Sequence, residues 1–214
     1  MNFINLAVRA LLGRTVSCRR STLDLNYVGV KAPQFSFSRL KGADPTLGVE
    51  MASTGEVGCL GRDVQEAFLK AILAVGFRLP QKNILVSVGG EAPKHRFLES
   101  ARMLRTLGYK LFATENTSAF LKKNGVDNER LFKVHERRKP NIKDHLLRGQ
   151  IHLVISIPDP ATKKEFDSYA TLRRMAVDYS VPLLTNLQIA ELFVQALAAK
   201  KPEDLETKAW DEYR

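Results

Sequence analysis

Five short apolar runs, each followed by a helical pattern, occupy the chain between residues 83 and 199. The strand-like runs are Ile84–Val88, Lys110–Thr114, Arg130–Val134, Ile151–Ile157 and Val181–Thr185. The helical patterns are Phe97–Leu107, Thr117–Asn124, Asn141–Arg148, Lys163–Tyr179 and Leu187–Ala199. Regular alternation of this kind is typical of a parallel sheet with helices on both faces. Because such crossovers are right-handed, the sequence predicts an α/β fold with a doubly wound, five-stranded parallel sheet.

The chain before residue 83 has a different character. Residues 27–61 are rich in Gly, Pro, Ser and Thr, which indicates short extended pieces and turns. A helical repeat with period three and four then runs from Val64 to Val75, with Asp63 placed to cap it. We therefore expect a partial α+β unit at 1–61, a connecting helix and linker at 62–82, an autonomous domain at 83–199 and a polar tail at 200–214.

The net charge of the chain is +10, from 33 Lys and Arg against 23 Asp and Glu. Residues 1–40 alone carry six basic residues and one acid, Asp24. Such a field favours anionic partners. Aromatic residues make up only 8% of the chain and do not interleave with the basic ones, so we expect no nucleic-acid binding.

Several other classes of protein are disfavoured by the sequence. The longest apolar stretches, such as Ile151–Pro158, are far shorter than the roughly 20 residues that span a bilayer. Cys18 and Cys59 cannot form a disulfide framework and lack metal-ligand spacing. The chain has no HExxH, GxGxxG or GxxxxGK[ST] motif, so we expect no metal and no nucleotide-phosphate loop.

The strongest local signal for a site is the segment from Thr114 to Ser118, where a predicted strand ends and a helix begins. In an open parallel sheet, ligands bind beyond the carboxyl ends of the strands. A helix start offers free N–H groups and partial positive charge to an anion. Thr114, Asn116, Thr117 and Ser118 add polar groups. Lys94 lies in the loop after the first predicted strand, and Lys133 lies at the end of the third. The competing interpretation is an ordinary helix N-cap with solvated lysines.

Several segments together resemble the carboxyl-terminal part of the large chain of carbamoyl phosphate synthetase. Glu50–Val57 resembles the family's Glu-Met-x-Ser-Thr-Gly-Glu-Val segment at the end of the second ATP-grasp unit. Thr114–Ser118, Lys133–Glu136 and Pro182–Asn186 resemble its regulatory domain, which has the methylglyoxal-synthase-like (MGS-like) fold. The resemblance implies that residues 1–61 are a remnant of the ATP-grasp unit and that 83–199 form the regulatory domain.

The resemblance also implies what this chain does not contain. Both ATP-grasp units, with their ATP and Mg²⁺ sites, would lie outside it, so we expect no cofactor here and no carbamoyl phosphate synthesis by this chain alone. The implied partners are the remainder of the synthetase large chain and its glutaminase. Residues 1–23 contain four arginines and no acid, as mitochondrial transit peptides do. However, Phe3–Gly13 also resembles a helix of the family, so the resemblance implies a cytoplasmic location, with a mitochondrial one as the alternative.

Regulatory domains of this family bind small anionic effectors, namely UMP, IMP, phosphoribosyl pyrophosphate or N-acetylglutamate. Carried over by motif, hydroxyl contacts fall on Thr114 and Thr117, and anion-facing lysines fall on Lys94 and Lys133. Members that bind N-acetylglutamate have Asn residues where this chain has the Ser156–Asp159 loop and Ser168. Because Asp159 would repel a dicarboxylate and Lys133 resembles nucleotide-regulated members, the resemblance favours a phosphorylated effector.

A free-standing methylglyoxal synthase, a lyase that eliminates phosphate from dihydroxyacetone phosphate, is the alternative function. That chemistry needs a carboxylate base and a His–Asp pair. The segment where that family has Gly-Gly-Asp is here Arg137-Arg138-Lys139, and the loop expected to carry the histidine, residues 160–167, has none. The regulatory interpretation is therefore favoured over the lyase.

Overall fold

A computed structural model describes residues 2–17, 25–37, 42–43, 45, 53–136, 138–159 and 163–213, without the side chains of 163–168 and 210. The helices are α1 (Phe3–Leu11), α2 (Val64–Ala74), α3 (Glu91–Thr106), α4 (Glu115–Lys123), α5 (Ile142–Leu147), α6 (Lys163–Asp178) and α7 (Leu187–Ala199). The strands are β1 (Val28–Gln34), β2 (Gly55–Gly61), β3 (Asn83–Val88), β4 (Lys110–Ala113), β5 (Glu129–Arg130), β6 (Leu153–Ile157) and β7 (Leu183–Leu184). Short 3₁₀ turns follow at Pro202–Asp204 and Trp210–Glu212.

Strands β3 to β7 form one parallel sheet in the order β5-β4-β3-β6-β7. Val86 at the centre is in register with Ala113 of β4 on one side and Ile155 of β6 on the other. The chain therefore builds the sheet outward from β3 in one direction, returns, and builds outward in the other. This confirms the predicted doubly wound, five-stranded parallel sheet, and it places the reversal of strand order beside β3.

The sheet has a separate apolar core on each face. Alternate residues of β3 divide between them, because successive side chains of a strand point to opposite faces. Ile84, Val86 and Val88 belong to the core beneath α2, α3, α4 and α7, whereas Leu85 belongs to the core beneath α5 and α6. This double burial explains why the strands read as continuous apolar runs.

Helix α2 contributes directly to the first of these cores. Phe68, Leu69 and Ile72 are buried there together with Phe193 and Val194 of α7. The antiparallel hairpin β1–β2 packs on the same helix. A segment expected to be a connecting helix thus shares its core with the five-stranded sheet, and the proposed domain limits stay a prediction.

Several element boundaries differ from the sequence expectation; β7, for example, covers Leu183–Leu184 instead of Val181–Thr185. Strand β5 is two residues long instead of five, because its partner β4 ends at Ala113. The last hydrogen bond between them is donated by Leu131 N–H to the Ala113 carbonyl. Beyond it, Phe132 pairs with Asn141. Helix α3 begins at Glu91, six residues before the apolar stripe. The sequence pattern missed this start because the first turns of the helix are polar and carry no periodic signal.

Some sequence expectations fall outside the described residues. Residues 50–52 of the Glu50–Val57 motif belong to this group, as do residue 1 and residues 18–23 of the arginine-rich segment at 1–23. Arg137 and residues 160–162, which entered the argument against a lyase, are also outside it. The motif's remaining residues include the first half of strand β2.

Candidate functional site

A cavity of about 420 Å³ opens beyond the carboxyl ends of the central strands. Six of the nine effector-site residues expected from the sequence line it: Lys94, Thr114, Asn116, Thr117, Lys133 and Asp159. They come from α3, the start of α4, and the segments after β5 and β6. The topology brings them together because parallel strands present their carboxyl ends at one edge of the sheet.

The start of α4 faces this cavity without a side-chain cap. Thr114 is the N-cap residue, but its hydroxyl makes no capping hydrogen bond. Instead, Thr114 Oγ1 lies 3.1 Å from Ser87 Oγ and 3.4 Å from Thr117 Oγ1. The first backbone N–H groups of a helix have no partner within the helix. The first turn of α4 therefore retains the backbone donors and positive dipole end that suit an anion.

The Thr117 hydroxyl is used inside the protein. Its Oγ1 accepts a hydrogen bond from Val88 N–H at 3.1 Å and donates one to the Val88 carbonyl at 3.2 Å. Both Thr114 and Thr117 are buried, although both line the cavity. In this arrangement the two hydroxyls fix α4 against the end of β3, and the backbone of α4 is the more accessible donor for a ligand.

Two lysines bring positive charge to the cavity from opposite sides of β4. Lys94 Nζ lies 2.8 Å from Glu91 Oε1, one turn earlier on α3. The hydrogen bond from Lys94, together with its charge, holds the pKa of Glu91 below its ordinary value of 4.5. Lys133 Nζ lies 5.9 Å from the ring centre of Tyr169, which forms part of the cavity wall. An ammonium is a compact charge well suited to a phosphate oxygen.

Carboxylates also line the cavity, and several are held by partners. Glu115 pairs with Arg130 at 2.7 Å, and Glu136 accepts a hydrogen bond from Lys133 N–H at 2.6 Å. Asp159 lies against the end of β3, where a Cβ on Gly89 would come within 2.6 Å of its backbone nitrogen. Glycine at 89 thus allows the segment after β6 to approach β3 closely.

Two expected site residues, Ser118 and Ser156, do not line the cavity in the structure. Ser118 is buried on α4, and Ser156 is fully buried within β6, in register with Ser87. Ser156 Oγ has no hydrogen-bond partner among the described residues. Ser168 lies on α6, but its side chain is outside the described part of the chain.

Several cavity residues were not among the nine expected effector-site residues. Glu91, Glu115, His135, Glu136 and Tyr169 all line it. His135 and Glu136 could have been found, since they directly follow the predicted strand Arg130–Val134, which contains Lys133. Tyr169 could not, because it lies within a helix, and the periodicity of that helix does not indicate which of its residues face this edge of the sheet.

Within the described ranges, no group of three or more His, Cys, Asp or Glu side chains is arranged to hold a metal ion. The same residues include no helix that is both long and apolar enough to traverse a lipid bilayer.

Comparison with known proteins supplies a family context. A protein-family model described as "MGS-like domain" matches residues 96–185. A multifunctional protein of Dictyostelium discoideum is 44% identical over 98% of this chain, and one of Saccharomyces cerevisiae is 43% identical over 92%. The human mitochondrial carbamoyl-phosphate synthase [ammonia] is 42% identical over 100% of it. The chain spans only 9–15% of the length of these relatives.

Proposed function

Since the chain belongs to the carbamoyl-phosphate synthase family and carries its MGS-like domain, we propose that it binds an allosteric effector and controls carbamoyl phosphate synthesis. The synthesis itself would take place in the parts of the larger protein that this chain does not include. ATP, Mg²⁺ and the glutaminase would be partners of those parts. The pathways served would be those of pyrimidines and arginine.

The observation that carries this proposal is the first turn of α4, which lacks a side-chain cap and opens into a cavity flanked by two lysines. Backbone N–H groups and the helix dipole favour an anion there. Lys94 and Lys133 add the charge that a phosphate prefers. We infer that the effector is phosphorylated, a nucleotide or phosphoribosyl pyrophosphate, and that its phosphate binds at this turn.

The carboxylates of the cavity support the same choice over N-acetylglutamate. Asp159, Glu91 and Glu136 surround the site, and a dicarboxylate would place two negative groups among them. A nucleoside monophosphate places its charge at one end and offers ribose hydroxyl donors to the carboxylates that line the cavity. This distribution of charge agrees with the arrangement of the cavity.

Calorimetric titration of the full chain with UMP, IMP, phosphoribosyl pyrophosphate and N-acetylglutamate tests the proposal. A hydrogen bond to a charged group contributes about 1.5–3 kcal/mol, so Lys133→Ala should weaken the preferred phosphorylated ligand about ten- to a hundredfold. Lys122→Ala, an exposed lysine at the opposite end of α4, is the matched control and should leave the affinity unchanged. Tighter binding of N-acetylglutamate than of any phosphorylated ligand would contradict the proposed effector class.

The lyase alternative is tested on the same protein. The carboxylates of Glu91, Glu115 and Glu136 are each engaged by a cation or a backbone N–H, which weakens them as bases. We expect no release of inorganic phosphate from dihydroxyacetone phosphate above the rate in buffer. Release that depends on the protein, and that Asp159→Asn abolishes, would support the lyase instead.

A further inference from the structure

The ion pair between Glu91 and Lys94 has an unequal environment at its two ends. Lys94 is only 9% exposed and lines the cavity, whereas the side chain of Glu91 is 73% exposed. The two residues are three apart on the first turn of α3, so they lie on one face of the helix. One partner is therefore part of the cavity wall, and the other reaches it while remaining largely in solvent.

This pair neutralises Lys94 before any ligand arrives. A largely buried ammonium is costly without a counter-charge, and Glu91 Oε1 supplies one at 2.8 Å. The carboxyl is ionised at neutral pH, since its pKa lies below 4.5. An anion that uses Lys94 must replace this carboxylate. The replacement is feasible because an exposed carboxylate is readily rehydrated.

The other carboxylates with identified partners are not placed to play this part. Glu115 is paired with Arg130, which does not line the cavity, and Glu136 accepts from a backbone N–H. Glu91 holds the ammonium of a cavity lysine directly. Its position distinguishes it from a carboxylate that merely shapes the wall.

We propose that Glu91 is an internal competitor of the effector. In the free protein the Glu91 carboxylate binds the ammonium of Lys94, and this ion pair sets how tightly an anion binds. The inference rests on the function proposed above for this cavity. If binding requires Lys94 to be released, the apparent affinity is reduced in proportion to the fraction of molecules in which it is released. Removing the competing charge raises that fraction. Glu91 is then an affinity-determining residue that need not touch the ligand.

Calorimetry on the full chain, with inorganic phosphate and UMP as probes, tests this role. Glu91→Gln should bind both probes about three- to tenfold more tightly, as expected if the pair is closed in most molecules. Glu99→Gln is the matched control, because Glu99 lies on the same helix, is 76% exposed and pairs with Arg102 at 3.1 Å. It changes the net charge equally and should leave both affinities unchanged. A thermal melt of each variant verifies that it is folded.

A double variant separates competition from a general charge effect. In the background of Lys94→Met, Glu91→Gln should give no further gain, because the competed group is absent. A gain that persists there, or one that Glu99→Gln reproduces, would overturn the inference. So would unchanged or weaker binding by Glu91→Gln, which would show that Glu91 holds Lys94 in its binding position. If neither wild type nor any variant binds either probe, the proposed function fails and this inference fails with it.

Discussion

The cavity at the edge of the five-stranded sheet and the junction between the β1–β2 hairpin and α7 are held by different interactions. At the junction, α2 packs Phe68, Leu69 and Ile72 into the main core, and ion pairs such as Lys200–Asp63 lie at its rim. At the cavity edge, buried hydroxyl groups make the contacts that apolar side chains make at the junction, and charged side chains line the opening. The contacts at the junction thus mainly stabilise the fold, whereas those at the cavity edge fix the position of the first turn of α4.

The largest difference should appear when the junction's apolar contact is removed. Leu69 is fully buried on α2, and replacing a buried leucine by alanine costs about 2–5 kcal/mol. We expect Leu69→Ala to lower the free energy of unfolding of the whole five-stranded sheet by that amount, measured by urea denaturation. The control is Val64→Ala on the same helix, which is 42% exposed and should cost less than 1 kcal/mol.

This comparison bears on the domain limits proposed from the sequence. If residues 83–199 were fully autonomous, Leu69→Ala would disturb only the upstream hairpin, and the main unfolding transition would not shift. A single cooperative transition that shifts with Leu69→Ala would instead include α2 in the folding unit. The contacts of Leu69 in the main core favour this second outcome.

A smaller effect is expected from the hydroxyl network at the cavity edge. Thr117→Val keeps the shape of the side chain but leaves the buried Val88 N–H without its partner, a loss of about 1–3 kcal/mol. The same change should weaken effector binding, because α4 would no longer be fixed against β3. Thr117→Ser retains the hydroxyl and should restore most of both properties.

The role of Thr117 is decided by measuring both the free energy of unfolding and the effector affinity of the same variant. If the hydroxyl contacts the ligand directly, as the sequence suggested, Thr117→Val would weaken binding with little change in urea denaturation. The structure leads us to expect that both change together. A loss of affinity without a loss of stability would show that the Thr117 hydroxyl contacts the ligand directly.

The sequence predicts the sheet well because burial on both faces makes the central strands almost entirely apolar, as in Ile84–Val88, where Ser87 is the one polar residue. It predicts the cavity in part, since residues after the strands, such as Lys133 and Asp159, must meet at one edge. It did not single out Glu91, because the segment before Phe97 reads as a loop, and only the early start of α3 places Glu91 one turn before Lys94. Nor could it show that Thr117 bonds to Val88, since the rotamer of a buried hydroxyl depends on which strand packs against it.

The smallest effect concerns the ion pair at the rim of the junction. Lys200 Nζ lies 2.6 Å from Asp63 Oδ2, and Asp63 also caps α2 by accepting from Glu66 N–H. The hydrogen bond from Lys200, followed by that of Glu66, lowers the pKa of Asp63 from its ordinary 3.8. A carboxyl with a lowered pKa stabilises the fold above its ordinary pKa, and this contribution is lost as the pH falls through the lowered value.

Asp63→Asn therefore sharpens the comparison at low cost to the fold. The amide can still cap α2, so the change removes mainly the partly exposed ion pair, worth about 0.2–1 kcal/mol. The free energy of unfolding should differ from wild type by that constant amount between about pH 5 and pH 8, and the difference should shrink below 3.8. Asp204→Asn, an exposed aspartate in the tail, is the control and should show no such pH dependence. A difference above about 2 kcal/mol, or one that persists in acid, would mean that charge at the rim, and not apolar burial beneath α2, holds the junction.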